Sequence, residues 1–177
     1  MAPRIVLLQA DITTQDADAI VNAANSALRP GGGVDGAITR AAGRAALADR
    51  ERLIRERGTP PLPTGQAVAT IGGDLPARWI IHTAGPIYSG SPDDARLLAS
   101  CYIECLRVAD ELGAATVAFP AISTGIYGYP LDEAAPIAIE AVRDADTRVR
   151  EVRFVLFDER AMTAFRRALG GEGYPPR

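Results

Sequence analysis

Val21-Asn22-Ala23-Ala24-Asn25, followed by Gly31-Gly32-Gly33-Val34-Asp35-Gly36, is the stretch on which the reading of this chain turns. A second stretch has the same character: Pro120-Ala121-Ile122-Ser123-Thr124-Gly125-Ile126-Tyr127-Gly128. Each follows a short apolar run and leads into helix-like sequence. Glycine permits close backbone approach and positive φ, so the N–H groups of such a loop can converge on one point. Converging N–H groups at a helix N-terminus hold phosphate without any cationic side chain. Two such loops in one small domain point to a ligand with two phosphates. Asn25 and Asp35 then stand beside that ligand as candidates for chemistry.

Working outward, Arg4 to Gln9 reads as a strand, nearly all apolar and so buried on both faces. Asp11-Ile12-Thr13 follows as a turn. Ala19 to Asn22 is a short buried strand that enters the first glycine loop. Gly36 to Gly43 and then Arg44 to Arg57 read as helix, ended by Gly58. Three prolines make Thr59 to Gly65 an extended loop. Gln66 to Ile71 and Trp79 to Thr83 are strands. Asp93 to Leu112 is a long helix, with Leu97, Leu98, Cys101, Cys105, Leu106, Ala109 and Leu112 at helical spacing. Thr116 to Phe119 is the strand that feeds the second loop. Leu131 to Val142 reads as helix, with Pro136 placed near its first turn, where a missing N–H costs nothing. Val152 to Phe157 is the last strand and Glu159 to Leu169 the last helix. Apolar strands alternating with helices predict a three-layer α/β/α sandwich around a mostly parallel or mixed sheet. Such sheets bind ligands at the carboxyl ends of their strands, where both glycine loops fall.

Composition narrows the function. The chain has 177 residues, 47% hydrophobic and 23% charged, which fits one ordinary globular domain with an ample core. A net charge of −3 provides no basic face for nucleic acid. Any anionic ligand is therefore held by local dipoles. Cys101 and Cys105 fall on one helical face and read as small core residues. His82 is the single histidine and reads as a hydrogen-bonded core or cleft-wall residue. One histidine and two cysteines make no convincing zinc site, so no metal and no cofactor are expected. Ile5-Val6-Leu7-Leu8 is too short for a signal peptide core, and no apolar run approaches membrane-spanning length. A cytoplasmic, metal-independent monomer without membrane contact is the expectation.

The joint pattern resembles a macrodomain, and within that family the MacroD-type ADP-ribose hydrolases. The matching pieces are Asp11-Ile12-Thr13, Val21 to Asn25, Gly31 to Ile38, Pro63-Thr64-Gly65, Ile81-His82-Thr83-Ala84-Gly85-Pro86 and Ile122 to Pro130. They stand in family order over residues 4 to 169. The resemblance implies a mixed sheet of about six strands, with an ADP-ribose cleft at its crest. It implies a single macrodomain over residues 1–170 and a flexible tail over residues 171–177. Asp11 would accept a hydrogen bond from the adenine amino group, Ile12 would support adenine through its backbone, and Phe157 would contact the ring. Ser123, Thr124, Gly125, Ile126 and Tyr127 would wrap the diphosphate, with Gly33 and Val34 opposite; Tyr127 would also pack on the distal ribose. Asn22 belongs to the ligand-binding set, and Asn25 and Asp35 would address the reacting end of that ribose. Two departures stand out: Ala10 and Pro30 occupy positions where the family usually has glycine.

The activity implied is removal of mono-ADP-ribose from acidic side chains of proteins and deacetylation of O-acetyl-ADP-ribose. ADP-ribosylated proteins and O-acetyl-ADP-ribose are the expected partners, with nucleic acid entering only as an ADP-ribosylated substrate. Asp35 is the one well-placed carboxylate, yet a helix N-terminus keeps it ionised and therefore a weak base. Orientation of water and sugar is the role expected of it, with much of the rate from positioning. Asn25 offers both a donor and an acceptor to a ribose hydroxyl. Two further classes stay open: a reader module that binds ADP-ribose without turnover, and another nucleotide-binding α/β protein. The last is disfavoured, since neither a dinucleotide glycine fingerprint in a first βαβ unit nor a Walker lysine occurs. Taken residue by residue, plainer readings also exist. Asp35 reads equally as a helix cap, Asn25 and Asp11 as turn residues, Tyr127 and Tyr129 as packing aromatics, and Phe157 as core unless its strand ends at the cleft.

Overall fold

A computed structural model describes residues 2–170. Its elements are strands β1 (Arg4–Gln9), β2 (Ala19–Ala24), β3 (Ala67–Ile71), β4 (Trp79–Ala84), β5 (Thr116–Phe119) and β6 (Glu151–Leu156). The helices are α1 (Gly33–Ala42), α2 (Arg44–Glu56), α3 (Asp93–Leu112), α4 (Leu131–Arg143) and α5 (Glu159–Gly170), with a short 3-10 turn at Ile12–Thr14. The strands form one sheet in the order β1-β6-β5-β2-β4-β3. All neighbours are parallel except β3, which runs antiparallel to β4.

Side chains alternate across a strand, so each strand feeds two cores. Ala19, Val21, Ile81, Val117, Phe119, Val152, Phe154 and Leu156 pack against α3, α4 and α5. Ile20, Ile80, Ala118 and Val155 face the other way, against Ile38 and Ala42 of α1 and Ala46 of α2. The mixed three-layer sandwich is the fold expected. Among the described residues, no helix is long and apolar enough to cross a membrane. The expected flexible tail, residues 171–177, lies outside the described residues.

Three local readings are corrected. The first helix begins at Gly33 rather than Gly36, and Gly43, at φ 83°, separates it from α2. Asp35 is not a cap: the N-cap of α1 is Gly32, and Asp35 is a buried residue of its first turn. Pro136 lies beyond the first turn of α4, inside the helix. A residue there would ordinarily bond the carbonyl four positions earlier, that of Asp132. Both Pro136 and Asp132 are exposed, so the orphaned carbonyl is open to solvent and the helix continues past it.

Topology builds the crest. The five parallel strands all end at one edge of the sheet, which gathers the segments that follow β1, β2, β4, β5 and β6. β2 lies between β4 and β5, with Ala19 opposite both Trp79 and Val117. The two glycine loops therefore leave adjacent strands side by side. β1 and β6 pair with Gln9 opposite Leu156, which brings Asp11 and Phe157 to the same corner.

Candidate active site at the sheet crest

At the β1–β6 corner, Asp11 caps the 3-10 turn. Its Oδ1 accepts from the Thr13 N–H at 2.9 Å and the Thr13 hydroxyl at 2.7 Å. Those two bonds hold the carboxyl below its usual pKa, and Oδ2 stays outside them. The turn reading of Asp11 therefore holds for one oxygen while the other faces outward. Ile12 is buried in the core beneath, so only its backbone faces the crest. Phe157 follows β6 directly and is 92% exposed. An aromatic ring so exposed beside a cleft is a ready stacking surface.

The second loop is built to leave donors free. Thr124 N–H bonds Ala121 O at 3.4 Å, Gly128 N–H bonds Gly125 O at 3.0 Å, and Tyr129 N–H bonds Ser123 O at 2.9 Å. Within the described residues the N–H groups of Ser123, Gly125, Ile126 and Tyr127 make no hydrogen bond. Ser123 adopts φ 68°, a strained conformation for a side chain other than glycine, and its buried hydroxyl lacks a partner. Ile126 is fully exposed at the tip. Tyr127 is half-buried, and its carbonyl accepts from Tyr88 N–H at 2.9 Å. Tyr129 packs with Tyr88, ring centroids 4.9 Å apart, which is the packing role expected of it.

Across the crest, α1 starts at Gly33, so Gly33 and Val34 present first-turn N–H groups and the positive end of the helix dipole. The loop before it is held by Asn25. The Asn25 Nδ2 donates to Arg29 O at 2.7 Å, and Arg29 N–H donates to Oδ1 at 3.2 Å. Its turn reading is thus correct for one hydrogen bond on each amide atom; each has capacity for another. A Cβ on Gly31 would lie 3.8 Å from Asn25 Nδ2 and 3.9 Å from Asp35 Oδ2, so that glycine sits between the two residues expected to do the chemistry.

Asp35 has a partner that the sequence reading missed. Arg50 of α2 grips it in a bidentate pair, Nη1 to Oδ1 at 2.6 Å and Nη2 to Oδ2 at 2.7 Å. Both residues are 3% exposed. Burial works to raise the Asp35 pKa, but the hydrogen bonds and charge of Arg50, with Asn22 and Thr39, outweigh it, so the carboxyl lies below its usual range. The signal for Arg50 was its position: Ala46, Arg50 and Leu53 are the buried residues of α2, spaced on one face. A cation on an apolar stripe demands a buried anion.

Behind this pair lies a polar floor on the α1–α2 side of the sheet. Asn22 of β2 and His82 of β4 are register partners, and Asn22 Nδ2 donates to His82 Nδ1 at 3.1 Å. An amide nitrogen only donates, so His82 Nε2 carries the proton toward Thr70 Oγ1, 2.8 Å away. Burial, then the charge of Arg50, pushes the His82 pKa down to about 3, so the ring is neutral. Asn22 is thus completely buried and supports Asp35 from below rather than lining the open cleft. Cys101 and Cys105 lie on the buried face of α3, where desolvation raises both thiol pKa values, Cys101 to about 11. They are core residues, as read.

Free backbone donors on the second loop, the α1 N-terminus across from it and an exposed aromatic at one corner give an α/β sheet crest suited to holding an anion. The Macro domain family model matches residues 21–138. A macro domain-containing protein of Streptomyces coelicolor is 62% identical over 166 residues, covering 94% of this chain and 98% of that protein. An O-acetyl-ADP-ribose deacetylase of Escherichia fergusonii is 46% identical over 177 residues, covering 98% and 99%. Among solved structures, the Oceanobacillus iheyensis macrodomain with ADP aligns at TM-score 0.85 and 41% identity, over 93% of this chain and 89% of that one. The Trypanosoma brucei macrodomain in complex with ADP-ribose aligns at 0.79 and 34%, over 94% and 69%. The chain belongs to the macro domain family.

Proposed function

We propose that this macrodomain binds ADP-ribose at the crest and hydrolyses its esters, deacetylating O-acetyl-ADP-ribose and removing mono-ADP-ribose from acidic side chains of proteins. The observation that carries the reading is the convergence of Asn25 and Asp35 beside Gly31, at a sheet crest whose neighbouring loop leaves backbone donors free. The relatives named as deacetylases and the neighbours solved with ADP or ADP-ribose support it.

In this reading the adenine lies on Phe157, with its amino group on Asp11 Oδ2 and its edge on the Ile12 backbone. The diphosphate takes the N–H groups of Ser123, Gly125, Ile126 and Tyr127 on one side and of Gly33 and Val34 on the other. Thr124 contributes to the same loop, its own hydroxyl bonded to Ala121 O at 2.8 Å. The distal ribose meets Tyr127 and the second N–H of Asn25. Water is oriented by Asp35, whose Oδ2 accepts from Arg50 Nη2 and lies toward Gly31. A carboxylate clamped by a guanidinium is a poor proton acceptor, so the rate comes from holding water and ester in line.

A reader that binds without turnover is the second reading. It is favoured by the occupation of Asn25 and Asp35 by protein partners. Acetate release from O-acetyl-ADP-ribose separates the two: the hydrolase reading predicts catalytic turnover that Asn25→Ala strongly reduces, and the reader reading predicts none.

A further inference from the structure

Arg50 lies outside the cleft, yet it touches three parts of the site at once. Besides both oxygens of Asp35, it reaches the Leu28 carbonyl through Nε at 2.5 Å and the Thr39 hydroxyl through Nη1 at 3.4 Å. Leu28 belongs to the loop that carries Asn25. It is fully buried, adopts φ 60° and donates its N–H to Asn25 O at 3.0 Å. One guanidinium therefore ties α2 to the first turn of α1 and to a strained turn directly after Asn25. We infer that Arg50 is a positioning residue, fixing the carboxylate plane of Asp35 and its spacing from the Asn25 loop. This rests on the ester-hydrolase reading of the cleft.

The geometry uses what only arginine has. Two parallel Nη–H bonds fix the carboxylate plane, and Nε–H points elsewhere, to a main-chain carbonyl. Lysine keeps the charge but has one point-like head for three acceptors. The electrostatics are equally exclusive. The groups packed around the pair are Thr39 from α1, Asn22 from β2, His82 from β4 and Thr70 from β3. His82 is neutral. Asp49, the nearest acid on α2, is itself engaged, with Oδ1 on Arg52 and Oδ2 on the Ile71 N–H. Arg50 is thus the counter-charge that keeps Asp35 ionised inside the protein.

Two variants test this, with wild-type turnover of O-acetyl-ADP-ribose measured first and ADP-ribose affinity measured by calorimetry alongside. Arg50→Lys should fold, keep ADP-ribose affinity within about threefold, and lose about tenfold or more in kcat, since a misplaced carboxylate costs positioning rather than binding. Arg50→Met should also move the acid limb of the kcat–pH profile upward by about one pH unit or more, because Asp35 loses the partner that favours its charged form. If Arg50→Met fails to fold, Arg50→Lys decides. Unchanged kcat in Arg50→Lys, or an unmoved acid limb in a folded Arg50→Met, overturns the inference and leaves the hydrolase reading intact. Absence of wild-type turnover overturns the hydrolase reading, and the inference with it.

Discussion

Gly85, at the exit of β4, lies directly beneath Ser123 of the second glycine loop, and the two leave no room between them. A Cβ on Gly85 would overlap the Ser123 hydroxyl and come within 2.7 Å of Ile122 Cγ2. Any larger residue at Gly85 forces Ser123 or Ile122 to shift.

Gly85→Ala should therefore push Ile122 and Ser123 outward and disperse the N–H groups of the loop. ADP-ribose affinity should fall by at least about tenfold, or about 1.4 kcal/mol, in a calorimetric titration. Gly58→Ala, where a Cβ meets open space, should bind as wild type. Equal affinity for Gly85→Ala and wild type would remove Ser123 from the binding surface.

Phe157 separates binding from stability. Its ring is almost wholly exposed, so Phe157→Ala should leave the unfolding free energy from urea titration within about 0.5 kcal/mol of wild type. If the ring carries the adenine, affinity for ADP-ribose should drop by about tenfold, while affinity for ribose 5-phosphate, which has no base, should stay unchanged. A loss shared by both ligands would place adenine elsewhere.

His82 sets the onset of acid destabilisation. Its pKa lies near 3 in the fold against 6.5 unfolded, so the unfolded chain binds the extra proton. Stability is therefore full above pH 6.5 and declines as pH falls through the window from 6.5 to about 3. The slope is about 1.4 kcal/mol per pH unit, or about 2 kcal/mol by pH 5. Asp35, whose pKa is lowered from 3.8, adds its own loss only at still lower pH. Urea unfolding at pH 7 and about pH 5 should show this decline in wild type and a nearly flat response in His82→Gln, since His82 is the one histidine in the chain. A wild type equally stable at both pH values would contradict the buried neutral ring.

Asn25 should act through the loop as well as through the ligand. Asn25→Ala removes both bonds to Arg29, at a cost of about 1–2 kcal/mol in unfolding stability. Asn25→Asp keeps the bond from Arg29 N–H but sets an oxygen against Arg29 O. Both variants should lose more than about tenfold in kcat. Full turnover by Asn25→Asp would show that the amide nitrogen is dispensable.

Much of this architecture was legible because it was written locally. The apolar runs of β1, β5 and β6 and the helical stripe of α3 name their own elements. Glycines at strand exits mark the crest. What escaped was written across distance. Arg50 stands fifteen positions from Asp35, and a charged residue in an arginine-rich helix reads as solvated until its apolar neighbours Ala46 and Leu53 are set beside it. The place of Asp35 after the loop is legible in the sequence, but its ionisation state depends on that distant partner. The motif alone does not show that strand alternation turns Asn22 into the polar floor with His82. Pro136 is the sixth residue of α4, past the first turn, and its place in the helix depends on an exposed face that the local sequence does not mark.

The proposed activity of this site is hydrolysis of ADP-ribosyl esters with Asp35 as the orienting carboxylate. The most direct measurement is a time course of ADP-ribose release from protein carrying mono-ADP-ribosylated Glu or Asp, run beside calorimetric titration of ADP-ribose, for wild type and Asp35→Ala. Release by wild type, at least about a hundredfold slower release by Asp35→Ala, and ADP-ribose binding retained by both are expected. Binding without release by wild type, or equal release by the two proteins, would contradict this proposal.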